Sequence, residues 1–162
     1  MRIEGLALPF PATPGFRETG HGSKVSVGRG QAKEISMEMR VFGRSGLELS
    51  TLGFGCGAVG GLMVRGAPAD QERTIGKALA AGVNYFDTAV QYGNGASERN
   101  LGRTLKALKA KDVVIGTKVG FKPEEMTGIG EAVTRSLEGS LERLGMERVD
   151  IFHLHNPITA AR

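Results

Sequence analysis

Tryptophan is absent from the 162 residues, cysteine occurs once, and aromatic residues make up only 6%. The single cysteine, Cys56, has no partner within the chain, so a disulfide scaffold is excluded. One thiol fits a reducing compartment, and a cytoplasmic location is expected. No apolar run approaches the roughly 18 residues that a membrane-spanning helix needs. Neither sign of charge dominates: 21 basic and 17 acidic residues leave a formal charge of +4. That is too slight for a nucleic-acid-binding surface, so neither a nucleic-acid nor a membrane partner is expected. What the chain does have is 40% hydrophobic residues, enough to bury the core of one globular domain. It also has 25 glycines, a sign of many tight turns or of backbone that approaches a ligand closely.

The character of the chain changes near residue 38. Residues 1–38 hold Pro9, Pro11 and Pro14, half of the six prolines, and no period of 3.6 or 2 persists across them. They read as a poorly ordered leader, with a mis-assigned start as the alternative, in which Met37 or Met39 opens the domain. A signal peptide does not fit, because Glu4 stands at the start and two prolines interrupt residues 6–12.

From Met39 the pattern is regular. Val41-Phe42 and residues 47–49 flank Gly43-Arg44-Ser45-Gly46, which predicts a β-hairpin. Strand-like runs follow at residues 51–55, 83–87, 113–118 and 149–155, and helix-like runs separate them. The runs start roughly every 30 to 36 residues, where a barrel of eight βα units in about 250 residues allows about 31 per unit. Pro68 and Asp70 open the first helix, and Gly82 stands where its C-terminal cap belongs. Ser97 is the expected N-cap of the second, with Glu98 at the positive end of its dipole. The third is expected over residues 129–144 and stops at Gly145, with Ile129, Val133, Leu137, Leu141 and Leu144 on its inner face. The expected fold is therefore α/β: a partial (β/α)8 TIM barrel of about the first four βα units, with an N-terminal β-hairpin, over residues 39–162.

Barrel active sites lie where the strand C-termini gather. Asp87 ends the second strand, Lys118 the third and His155 the fourth, and Tyr92 follows Asp87 on its loop. Each has an ordinary alternative. Asp87 can cap a strand, Tyr92 can be a plain loop residue, and Lys118 can lie at the surface. Together they suggest proton-transfer chemistry. A lysine cation beside a tyrosine favours the phenolate, the aspartate holds the lysine, and the histidine gives a hydrogen bond to a carbonyl oxygen. No amino acid supplies a hydride, so the reduction of a carbonyl needs a cofactor. His153 and His155 lie on opposite faces of their strand or in different layers, and His153 reads as structural.

These residues resemble the signature of the aldo-keto reductase family. Phe86-Asp87-Thr88-Ala89, then Tyr92-Gly93, then Ser97-Glu98 with Leu101-Gly102, form its first segment. Thr117-Lys118 is similar to its lysine segment. Arg143-Leu144-Gly145 with Val149-Asp150 through Leu154-His155 is similar to its histidine segment. The resemblance implies an oxidoreductase that reduces aldehydes or ketones to alcohols, or the reverse, with NADP(H) or NAD(H). It implies Tyr92 as the acid/base, with Lys118, Asp87 and His155 as its catalytic support, and Tyr92 and His155 facing a small-molecule carbonyl or alcohol. Gly55, Cys56 and Asp87 match positions near the nicotinamide. The family holds most of its cofactor with the second half of the barrel. The 162 residues do not contain that half, so the chain looks like a fragment of a larger barrel. No grouping of side chains reads as a metal site.

Two patterns point elsewhere. Residues 53–58 fit the G-x-G-x-x-G/A pattern of dinucleotide-binding folds, but Gly60, Gly61 and Gly66 follow where a helix should begin at once. Gly93-Asn94-Gly95 can cradle a phosphate ahead of a helix, although a substrate-loop turn is the simpler reading. A non-catalytic half-barrel that self-associates through its open edges, or serves as an interaction module, is the alternative function.

Overall fold

In the computed structural model, residues 37–157 are described; the remainder of the expected leader lies outside them. Met37 packs against the core, and the Glu38 carbonyl accepts a hydrogen bond from the Thr51 N–H at 2.9 Å, so both belong with the folded part.

The expected hairpin forms from β1 (Met39–Val41) and β2 (Glu48–Ser50), with Met39 opposite Ser50. Asn84 ties it down. Its side-chain oxygen accepts from the Ser50 N–H at 2.8 Å and its amide donates to the Glu48 carbonyl at 2.9 Å. Asn84 immediately precedes β4, so the hairpin sits at the N-terminal end of the sheet, opposite the strand C-termini.

The sheet has four parallel strands in the order β3 (Phe54–Gly55), β4 (Tyr85–Asp87), β5 (Val114–Val119), β6 (Ile151–Leu154). Sequence neighbours are sheet neighbours throughout, as a βα barrel requires. β3, β4 and β6 are shorter than their apolar runs predicted, and β5 keeps the expected length, shifted by one residue. Val83, Val113 and Val149, at the starts of three of these runs, pack in or against the core without joining the ladder. Alternation sorts the strands' two faces. Phe86 and Ile115 are buried against the helices with Leu101, Leu105 and Leu144. Tyr85, Asp87, Gly116, Lys118 and His153 face the other way.

The helices are α1 (Leu62–Arg65), α2 (Pro68–Ala80), α3 (Ala96–Ala107) and α4 (Ile129–Leu144), with a 3-10 helix at Pro123–Gly128. Three sequence expectations need correction. The short α1 and the 3-10 helix were not expected, because one turn carries no readable period. Ser97 is not the N-cap of α3; Gly95 is, at φ 79°. The Ser97 hydroxyl is spent inside, donating to the Cys56 carbonyl at 2.9 Å, since a buried carbonyl must find a donor. Finally, the buried stripe of α4 is Ala132, Ser140 and Leu144. Ile129 is 44% exposed, and Val133, Leu137 and Leu141 are half-buried.

The α3–α4 crossing is close. A Cβ added at Gly102 would stand 1.9 Å from the Leu144 carbonyl oxygen, so only glycine permits the approach. α4 ends at Gly145, whose φ of 64° is the left-handed cap conformation that favours glycine.

Candidate active site

The C-terminal ends of β4, β5 and β6 bring Asp87, Lys118 and His155 together, and the loop after β4 adds Tyr92. The Lys118 ammonium forms an ion pair with the Asp87 carboxylate and donates to the Thr88 carbonyl at 2.8 Å. It also lies over the Tyr92 ring, 4.7 Å from the centroid. The Lys118 side chain is only 11% exposed, so its charge is sheltered from water by the groups that neutralise it. The Tyr92 and His155 rings meet edge to face, with centroids 6.0 Å apart and planes at 87°. The His155 backbone N–H donates to the Val119 carbonyl at 2.7 Å, and Nδ1 lies 3.0 Å from the Gln91 side-chain oxygen.

A second tier lies beneath. The Tyr85 hydroxyl and His153 Nε2 are 3.1 Å apart, and both flank Gly116, where a Cβ would crowd them at 2.7 and 3.3 Å. His153 and His155 thus occupy different layers of one face. Burial pushes the Tyr85 phenol above its ordinary value, and the Asp87 and Tyr92 charges push the same way.

A cleft of about 320 Å³ opens beside this cluster, lined by Gly53, Phe54, Gly55, Gly57, Tyr85, Asp87 and Tyr92. Gly55 borders open space. Cys56 does not reach the rim. It is 1% exposed, and burial pushes its thiol up to about 12, with the Asp87 carboxylate adding to the effect. Its N–H donates to the Asp87 carbonyl at 2.8 Å, and its carbonyl accepts from Ser97.

Buried polar contacts fix the loops that carry these groups. Ser97 spends its one proton on Cys56, so Thr88 donates to the Ser97 hydroxyl, at 2.8 Å. Glu98 has no exposed surface; it accepts from Thr117 at 2.7 Å and from Arg143 Nε at 2.5 Å. α3 is thereby locked to the ends of β4 and β5 and to α4. Sequence reasoning missed the Thr88 carbonyl, Gln91 and the Tyr85–His153 pair. Tyr85 carried a signal, since it lies two residues before Asp87 on the same strand face. The Thr88 carbonyl carried none, because a backbone acceptor leaves no mark on residue type.

Comparisons with known proteins agree with this architecture. The model of the aldo/keto reductase family matches residues 51–161. L-galactose dehydrogenase of Arabidopsis thaliana is 38% identical over 122 residues, covering 74% of this chain and 38% of that protein. A crystal structure of a thermostable aldo-keto reductase with the inhibitor epalrestat superposes with a TM-score of 0.62 at 30% identity, over 75% of this chain and 44% of that one. An aldo-keto reductase from Klebsiella pneumoniae, crystallised with NADPH, gives 0.58 at 26% identity, over 75% and 40%. The chain spans about two-fifths of the length of these relatives. With its strand order, its mouth residues and the match over most of its length in accord, the chain belongs to the aldo/keto reductase family.

Proposed function

We propose that this chain supplies the proton-transfer part of a site that interconverts aldehydes or ketones and alcohols with NADP(H) or NAD(H). The observation that carries this reading is the meeting of Asp87, Tyr92, Lys118 and His155 at three adjacent strand ends. In reduction, the Tyr92 phenol gives its proton to the carbonyl oxygen. The Lys118 ammonium stabilises the negative charge that develops on the phenol oxygen, and the Asp87 carboxylate and Thr88 carbonyl keep that ammonium in place. His155 orients the substrate oxygen. The nicotinamide supplies or accepts the hydride. The open cleft beside Gly55 and Asp87 has the apolar wall of Phe54 and the polar rim that a nicotinamide ring needs. Cys56 supports that cleft from behind, since its thiol is buried and its N–H and carbonyl bond Asp87 and Ser97. The family's second half supplies most of the cofactor's contacts, so affinity in this chain alone is weak. A cytoplasmic location accords with the reduced thiol; no described helix is long and apolar enough to cross a membrane.

Turnover tests the assignment. NADPH oxidation with a panel of aldehydes is expected to fall about 10²–10⁴-fold in Tyr92→Phe, the usual worth of a general acid. Activity that survives the substitution contradicts it. A second reading rests on the open sheet edge. Among the described residues β6 pairs only with β5, and Leu154 on it is 56% exposed, a surface on which two copies can associate.

A further inference from the structure

Tyr92 and Lys118 come from separate segments, the loop after β4 and the end of β5. The first turn of α3 is bonded to both segments. The Ser97 N–H donates to the Tyr92 carbonyl at 3.2 Å, which anchors the loop. The next residue, Glu98, accepts from the Thr117 hydroxyl at 2.7 Å. Thr117 precedes Lys118 on β5, so its side chain lies on the helix face of the sheet and that of Lys118 on the mouth face. Neither Glu98 nor Thr117 has any exposed surface. The second Glu98 oxygen accepts from Arg143 Nε at 2.5 Å, and the same guanidinium donates to the Ser140 hydroxyl at 3.2 Å. Gly95 lets the arginine pass, since a Cβ there would stand 2.5 Å from Arg143 Cδ. A carboxylate so placed tolerates little movement of its partners. If Thr117 shifts, a buried charge loses a donor, and that is costly.

We propose that Glu98 is a positioning residue for the contact between Lys118 and Tyr92. By binding Thr117 it sets the end of β5 against the helix turn that holds Tyr92, and so keeps the ammonium over the ring. The role rests on the proposed proton transfer, in which Lys118 stabilises charge on the Tyr92 oxygen. It adds the group that keeps the two within reach, acting through Thr117. Asp87 and the Thr88 carbonyl hold the tip of the Lys118 side chain, and Glu98 holds the strand from which that side chain springs.

The test is the proton spectrum of Lys118 in the 162-residue chain. Its ε-methylene protons adjoin the ammonium that lies 4.7 Å from the Tyr92 ring centroid, so the ring current moves their signals upfield. Tyr92→Leu removes the ring and gives the unshifted position. Thr117→Val removes the hydroxyl and keeps the branched shape. It is expected to move the Lys118 signals most of the way to the unshifted position, while the Tyr85–His153 contacts persist and report an intact sheet. Thr117→Ser restores the donor and keeps the wild-type position. A link that serves stability alone lowers the urea midpoint of Thr117→Val but leaves the Lys118 signals in place, and that result overturns the proposal. So does a wild-type signal already at the unshifted position. If Thr117→Val loses the Tyr85–His153 contacts, Thr117→Cys decides in the same way, because a thiol is a weak donor. Loss of those contacts in both variants shows a purely structural link and also overturns it. No nucleotide or substrate is present, so the spectrum reads the link whether or not turnover survives Tyr92→Phe.

Discussion

Cys56 lies buried beside Asp87, and its chemistry follows from that burial. With the thiol pushed from 9.0 up to about 12, the folded chain keeps a proton that the unfolded chain gives up above pH 9. The folded state binds more protons between those values, so stability falls as pH rises from 9 towards 12. Urea unfolding across that window should show a shallower decline for Cys56→Ala than for the wild type; equal slopes would contradict the burial argument. At this scale the four mouth residues were legible because each ionisable group ends or follows an apolar strand, where an unpaired charge is costly. Gln91 was not legible. An amide in a loop has many uses, and only the approach of β6 gives it His155.

At the scale of elements, α3 and α4 hold the mouth together. The Gly102–Leu144 contact brings the two helices close enough for Arg143 to reach the buried Glu98, which in turn holds Thr117 beside Lys118. Gly102→Ala must push the helices apart, at a cost of about 1–3 kcal/mol. A shift of the urea midpoint measures it, and an unchanged midpoint would show that the crossing is looser than described. The order of the elements was legible from the spacing of apolar runs, and residues 129–144 form a helix with both ends as expected. Its buried face was legible only in part: Leu144 is buried as expected, but Ala132 and Ser140 share that face. Periodicity marks apolar residues, but the neighbours that cover them decide which are buried. The Ser97 cap failed for a related reason. Serine is a good cap residue by type, but a core carbonyl claimed its only proton.

The described fold is an open parallel sheet with β3 and β6 at its edges, and Leu154 on β6 is exposed. The relatives' chains are longer than this one, which matches 38–44% of each. For the 162-residue chain, sedimentation should reveal association that weakens in Leu154→Lys, because a charge on an edge strand opposes strand pairing. A monomer in both chains would remove the second reading. Proton–proton NOEs in the same chain test most directly whether the four mouth residues converge. Contacts from the Tyr92 ring to the Lys118 side chain and to the His155 ring are predicted, alongside those between Tyr85 and His153. A spectrum with the Tyr85–His153 contacts present and the Tyr92 contacts missing would mean that the sheet forms but the mouth does not converge.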